Sequence, residues 1–169
     1  TLRDIYRAKK TIAPHIPRTA LHYSSGLSEM LSAEVYLKHE EHLPLGAFKG
    51  RGGINLLANL SDEEKKRGLI TASSGNHGQS MASACRLFGV KAVIGLPEGA
   101  NPNKVAAMRA LGAELVFHGA DFDAARLHCE RLAKEEGYRF VHPVNEPLLI
   151  AGVGTQALET VEDLPDVEV

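Results

Sequence analysis

Short apolar segments alternate with helix-length segments along most of the chain, and this alternation constrains the fold more than any other feature. Segments 69–72, 92–96 and 114–117 are apolar and rich in β-branched residues, and a weaker one covers 139–141. Strands that alternate with helices at this interval form parallel βαβ units with right-handed crossovers. We therefore predict an α/β fold in which residues 49–145 build one open parallel sheet.

The segments between these strands carry signals for the start and the end of helices. Ser61 and Glu64 have the spacing of a capping box at a helix start. Asn101 precedes a proline that suits the first helical position. Asp121 is a candidate N-cap, and Gly137 is a suitable stop for the helix that follows it. The sequence thus places helices between the predicted strands.

The two ends of the chain have a less regular pattern. We predict an amphipathic helix over residues 2–12, a strand over 34–38 and a last helix over about 146–162. Residues 164–169 have the pattern of a turn that enters a further strand. A strand that opens at a C-terminus leads us to expect a fragment or a truncated product of a longer protein.

With 169 residues, the chain is long enough for one domain plus part of another. We predict a small α/β domain over residues 49–145. Residues 1–48 are then the first segment of a larger domain, and residues 146–169 are a truncated segment that returns toward it.

Composition excludes several functional classes. The chain has 19 basic and 21 acidic residues, and its net charge of −2 gives no indication of a nucleic-acid partner. No apolar stretch approaches the ~20 residues of a membrane-spanning helix, so we predict no membrane partner. Cys85 and Cys129 lie far apart in helical segments, and we expect reduced, buried thiols in a cytoplasmic protein.

A glycine-containing turn, Ser73-Ser74-Gly75-Asn76-His77-Gly78, follows the first strand of the predicted sheet. A helix that starts here offers unpaired backbone N–H groups and a positive dipole end, which suit a carboxylate or a phosphate. A plain βα turn is the structural alternative. The turn lacks the Gly-Lys-Ser/Thr ending of a phosphate loop and has only Gly75-x-x-Gly78 of the dinucleotide fingerprint. Because Glu98 lies at a suitable distance for a ribose contact, dinucleotide binding stays open.

Lys49 lies in a second unusual segment, Gly46-Ala47-Phe48-Lys49-Gly50-Arg51-Gly52-Gly53. A lysine in such a loop is most often a solvated surface charge. Here it follows an apolar pair, and partial burial would favour the uncharged amine that carbonyl and Schiff-base chemistry requires. The segment alone only suggests that chemistry.

Together, these two segments resemble the fold-type II pyridoxal-phosphate enzymes, and most of all the threonine/serine dehydratase branch with serine racemase and phenylserine dehydratase. Other matching segments run through essentially the whole chain: Arg18-Thr19-Ala20-Leu21, Asn103-Lys104-Val105, Leu111-Gly112-Ala113-Glu114 and Ile150-Ala151-Gly152-Val153-Gly154-Thr155. The resemblance implies a complete small domain and a partial large domain. In this family, a second half supplies the glycine-rich loop for the cofactor's phosphate.

The resemblance also implies roles for individual residues. Lys49 would form the Schiff base with pyridoxal 5'-phosphate and then move the proton at the substrate's α-carbon. Asn76 would bind the pyridine 3′-oxygen, and Phe48 would pack beside the ring. Ser74 matches the residue that acts as acid/base on the opposite face in racemases. The residues that would hold the substrate carboxylate are Ser73, Ser74, Gly75, Asn76 and His77.

The resemblance implies dehydration and deamination of a β-hydroxy amino acid, L-threonine or L-serine, to a 2-oxo acid and ammonia. Amino-acid racemization is one alternative, and an inactive α/β domain that binds only carboxylates or a partner chain is another. We expect a homo-oligomer, or association with a missing C-terminal half. We expect no metal, because His39 and His42, with two glutamates between them, fit a solvated strand edge.

Overall fold

The computed structural model describes residues 1–168. The helices are α1 (Leu2–Ile12), α2 (Ser25–Leu31), α3 (Lys49–Asn59), α4 (Asp62–Arg67), α5 (Asn76–Leu87), α6 (Pro102–Ala110), α7 (Phe122–Glu136) and α8 (Pro147–Asp163). The strands are β1 (Leu21–Tyr23), β2 (Tyr36–Lys38), β3 (Leu69–Ala72), β4 (Ala92–Leu96), β5 (Glu114–Phe117) and β6 (Arg139–Phe140). A 3₁₀ turn covers Glu40–His42.

The predicted parallel sheet is present, with the strand order β5-β4-β3-β6. Every pair in it is parallel, and β3 aligns Leu69 with Ala92 of β4 and with Arg139 of β6. All residues of β3 and β4 are buried, as expected for central strands that are covered on both faces. The α/β fold class predicted from the sequence is confirmed.

The two faces of the sheet contribute to two separate apolar clusters. Ile94 and Leu96 point to the larger cluster, which also contains residues of α3, α5 and α6. Val93 points the other way, toward Cys129 of α7 in the smaller cluster. This division follows from the alternation of side chains along a strand.

Helix α3 is held between α8 and α5 by contacts that only glycine permits. A Cβ on Gly52 would lie 2.9 Å from the carbonyl oxygen of Leu149, and one on Gly152 would lie 2.6 Å from that of Arg51. On the other side, a Cβ on Gly53 would lie 2.5 Å from Ser80 Oγ. The glycines after Lys49 thus allow close approach of three helices.

The helix caps agree with the sequence prediction. Ser61 Oγ accepts from the backbone N–H of Glu64 at 3.2 Å, and the Glu64 carboxylate accepts from the N–H of Ser61 at 3.0 Å. Asn101 and Asp121 also accept hydrogen bonds from the first turns of α6 and α7. Among residues 1–168, no helix is both long enough and apolar enough to cross a bilayer.

The structure differs from the prediction in the terminal parts of the chain. The strand expected over 34–38 is only β2, which pairs antiparallel with β1 outside the main sheet. It starts late because the N–H of Val35 donates to Ser28 Oγ at 2.9 Å rather than to a strand. Helix α2, which contains Gly26 and several serines, was not predicted. Residues 164–168 form no strand, and Val169 lies outside the described residues.

Candidate active site

The sequence suggested that Lys49 lies in a loop, but Lys49 is the first residue of α3. Its side chain is half-buried, and Nζ lies 5.2 Å from the centroid of the Phe48 ring. Its backbone is fixed to α5, because the Ser80 hydroxyl donates to the Lys49 carbonyl at 2.6 Å. The backbone of the lysine therefore belongs to the rigid part of the molecule.

The turn before α5 is held together by the side chain of Ser73. Ser73 Oγ accepts from the backbone N–H groups of Gly75 at 3.2 Å and Gly78 at 3.0 Å. The Ser73 N–H itself donates to the carbonyl of Gly95 at 3.1 Å. Two of the five residues that we expect to hold a carboxylate, Ser73 and Gly75, therefore use their backbone N–H groups inside the protein.

The other three residues of the set present free backbone donors. Within residues 1–168, the N–H groups of Ser74, Asn76 and His77 have no acceptor. They lie at the N-terminal end of α5, where the helix dipole adds positive potential. This arrangement suits a small carboxylate.

The Asn76 side chain is oriented by a residue that the sequence analysis did not assign. Lys104 Nζ, in the first turn of α6, donates to Asn76 Oδ1 at 3.0 Å. With Oδ1 turned toward the ammonium, Nδ2 is left as a donor for a ligand. Lys104 lies in a segment quoted for the family resemblance, but only the fold brings it to Asn76.

The His77 side chain turns into the protein and not toward the free donors. Only 8% of the residue is exposed, and Nε2 lies 3.0 Å from Thr71 Oγ1. Burial, with the positive charge of Lys49 as a smaller cause, lowers the pKa of His77 to about 4. His77 is therefore neutral at pH 7.

Lys49 and His77 line one cleft of about 300 Å³, together with Gly52. The rest of its wall is contributed by the start of α8 and the segment before it: Pro143, Val144, Leu149, Ile150, Val153 and Gly154. Phe48 lines a different cavity, beside Gln156. A larger cavity, of about 710 Å³, lies between α1 and α8. No lysine lines this cavity, whereas Lys49 lines the smaller cleft. We therefore take the smaller cleft as the candidate active site.

The model of one protein family, described as pyridoxal-phosphate dependent enzyme, matches residues 12–169. The chain belongs to this family. It is 48% identical over 169 residues to the L-threonine ammonia-lyase of Thermotoga maritima, covering 100% of this chain and 42% of that protein. The pyridoxal-phosphate dependent relatives thus support the resemblance found in the sequence.

Solved structures of the family have the same fold. Maize serine racemase superimposes with a TM-score of 0.92 at 33% identity, over 98% of this chain and 50% of that one. Threonine deaminase isoform 2 of Solanum lycopersicum gives 0.90 at 34% identity, over 98% and 48%. The chain therefore spans about half the length of the relatives it matches.

The cleft fits the cofactor of this pyridoxal-phosphate dependent family. Lys49 would supply a primary amine for the cofactor's aldehyde, and it forms no ion pair with any residue among 1–168 that would compete. The Asn76 amide offers a donor near the start of α5. The walls are largely apolar. The individual site roles of Lys49, Phe48, Ser74 and Asn76 stay predictions.

Arg51, two residues after Lys49, is a structural residue that the sequence analysis did not recognise. Its side chain is fully buried, and it pairs with Glu40 at 2.8 Å and Glu159 at 2.7 Å. Burial opposes its charge, but the hydrogen bonds that Arg51 donates to Glu159 and Glu40 raise the pKa of Arg51 above its usual value. The sequence did contain a signal for this buried residue, because Arg51 is an arginine inside a glycine-rich, apolar segment.

The histidines considered for a metal lie away from the cleft, at the 3₁₀ turn. Ligand atoms of His39, Glu41 and His42 lie within 4.8 Å of one another. The rings of His39 and His42 stack, and His39 Nδ1 forms a hydrogen bond with Glu41. Glu41 and His42 are exposed, and the interpretation of this segment as a solvated edge stays a prediction.

Proposed function

We propose that this chain forms the lysine-bearing part of an ammonia-lyase, which dehydrates and deaminates L-threonine or L-serine to a 2-oxo acid and ammonia. One observation carries the proposal: Lys49 lines the same cleft as His77, the residue whose free N–H lies at the start of α5. The similarity to the L-threonine ammonia-lyase supports the choice of substrate class.

The chain's own residues divide the work as follows. The backbone N–H groups of Ser74, Asn76 and His77 bind the substrate carboxylate and orient the α-carbon. The Lys49 amine takes the proton from that carbon. Bound pyridoxal phosphate supplies an electron sink, which makes removal of the proton and loss of the β-hydroxyl feasible.

Two residues place the cofactor in this proposal. Asn76 Nδ2 would donate to the pyridine 3′-oxygen, with Lys104 holding the amide in that orientation. The Phe48 ring would pack beside the pyridine ring; its 5.2 Å distance from Lys49 Nζ supports this role, although the ring lines the neighbouring cavity beside Gln156. Removal of Lys104, as Lys104→Met, should weaken cofactor retention without abolishing the Lys49 linkage.

The test is cofactor binding by the purified polypeptide that the gene encodes. Mixing with pyridoxal phosphate should give the visible absorption band of a lysine Schiff base, and borohydride should fix the added mass on Lys49. Lys49→Ala should abolish both signals, whereas Lys66→Ala, on an exposed helix, should leave them unchanged. A band that survives Lys49→Ala would overturn the assignment.

Racemization is the second candidate, and the exposed hydroxyl of Ser74 supports it. Racemization needs an acid/base on the substrate face opposite Lys49, and Ser74 lies next to the free donors of the turn. In the active polypeptide, Ser74→Ala should remove D-serine formation and spare release of ammonia from L-serine. Carboxylate binding without a lysine Schiff base would instead indicate the inactive binding domain.

We also propose that the apolar wall of the cleft is covered in the working enzyme. Val144 is 73% exposed and Ile150 57%. The relatives are about twice as long, which supports cover by a C-terminal half, or else by a second copy. Light scattering on the gene-encoded polypeptide tests this.

The free, buried thiols of Cys85 and Cys129 support a cytoplasmic location.

A further inference from the structure

A chain of two hydrogen bonds joins His77 to the sheet. Thr71 Oγ1, on β3, donates to the backbone carbonyl of Val141 at 2.7 Å. The same oxygen lies 3.0 Å from His77 Nε2. Thr71 is 2% exposed, so water does not replace either contact.

These two contacts determine which ring nitrogen carries the proton. A hydroxyl has one proton, and the Val141 carbonyl can only accept, so the Thr71 proton lies between these two oxygens. Thr71 Oγ1 must then accept from His77, and His77 Nε2 carries the N–H. Nδ1 is left with a lone pair.

His77 Nδ1 is the ring nitrogen that Thr71 does not contact. It has no hydrogen-bond partner in the part of the chain that the structure describes. It is also not enclosed, because Gln156 Oε1 is the only enclosed side-chain atom without a partner among residues 1–168. His77 lines the cleft together with Lys49. The free lone pair is therefore accessible from that cleft.

We propose that His77 Nδ1 accepts a hydrogen bond from the side-chain hydroxyl of the substrate, and that Thr71 is the positioning residue that holds the required tautomer. The inference rests on the proposed function and adds a residue that recognises the hydroxyl. A neutral acceptor that is fixed by folding favours a hydroxylated amino acid over one with a plain methyl side chain.

The same geometry assigns His77 a limited role. Nδ1 has no proton to give, so His77 orients the β-hydroxyl and does not protonate it as it leaves. The proton for the leaving oxygen must come from another group. The backbone N–H of His77 remains available for the carboxylate, because the side chain points elsewhere.

The first experiment uses the cofactor-free chain. Long-range ¹⁵N–¹H correlation spectra at pH 7 should show His77 with a protonated Nε2 and an unprotonated Nδ1. Thr71→Val, which removes the acceptor and keeps the shape, should change this tautomer, and Thr71→Ser should restore it. A protonated Nδ1 in the wild-type chain would overturn the inference without touching the proposed reaction.

The second experiment measures ligand discrimination in the cofactor-loaded, gene-encoded polypeptide by spectral titration. His77→Leu should weaken L-serine binding relative to L-alanine by about tenfold, the effect of one hydrogen bond. His77→Asn keeps an acceptor at the position of Nδ1 and should retain most of the preference. An unchanged serine-to-alanine ratio in His77→Leu would overturn the inference, whereas failure of all variants to bind would count against the proposed function.

Discussion

The guanidinium of Arg51 lies 2.7 Å from the carboxylate of Glu159, which joins the first turn of α3 to α8 in the interior of the protein. Lys38 Nζ lies 2.8 Å from the other Glu159 oxygen. Burial acts against the charge of Glu159, but hydrogen bonds from Arg51 and Lys38 keep the pKa of its carboxyl below the usual value. Lys49 thus begins a helix that is anchored by buried charges.

Arg51→Met should destabilise the fold strongly. It leaves the buried Glu159 and the partly buried Glu40 without their main partner, and loss of one partner of a buried pair typically costs about 3–5 kcal/mol. The free energy of unfolding, measured by urea titration, should fall by that amount.

Lys9→Ala is the matched control, because Lys9 pairs with Glu162 at the surface. Loss of such a pair changes stability by about 1 kcal/mol or less. If Arg51→Met and Lys9→Ala cost the same, the buried network does not anchor α3.

Gly95→Ala should destabilise the sheet through one contact. An added Cβ would lie 2.1 Å from Cys129 Sγ and 3.4 Å from the carbonyl oxygen of Ala125. The double substitution Gly95→Ala with Cys129→Ala removes the sulfur and should recover part of the lost thermal stability.

Gly26→Ala serves as the control for this series, since nothing lies within 4 Å of a Cβ at that helical position. It should raise the melting temperature slightly, because alanine favours a helix. Additive effects of Gly95→Ala and Cys129→Ala would show that the clash is not the cause.

The two thiols should be inert toward alkylating reagents in the folded chain. Burial raises the pKa of Cys85 to about 12 and that of Cys129 to about 11, so almost no thiolate is present at pH 8. Mass spectrometry after iodoacetamide treatment should show both modified in urea and neither in buffer. Rapid labelling of the native chain would contradict the buried positions.

Acid should weaken the fold partly through His77. Its pKa is about 4 when folded and about 6.5 when unfolded, so the unfolded chain binds more protons between these values and stability falls as pH decreases through this window. Between pH 7 and pH 5 the loss from this group is roughly 2 kcal/mol. His77→Asn should show a smaller loss in urea titrations at the two pH values. Equal losses would contradict a buried neutral histidine.

The sheet strands were predictable to within a residue because buried parallel strands have continuous apolar sequences. Residues 92–96 are β4 as predicted. Helix α2 was missed because glycine and serine give little helical signal, and its place depends on contacts that the sequence does not display. The prediction of a strand near the C-terminus was wrong for residues 164–168, because a local alternation of residues does not supply a partner strand.

The site was predictable where it is local in sequence. The turn before α5 followed from a short motif, whereas Lys49 was expected in a loop and is the first residue of α3. Lys104 and Thr71 were not recognised, because each meets its partner only through the fold. Arg51 was visible as an unusual residue, but its partners lie up to 108 residues away.

The close approach of α3 to both α5 and α8 determines how Lys49 can move. At Gly52 and Gly53, α3 packs so closely on α8 and α5 that even an added Cβ would overlap them. The amine can therefore change place only by rotation about the bonds of its own side chain. Any displacement of Nζ toward a bound ligand is then a change of side-chain rotamer, with the backbone of α3 left in place.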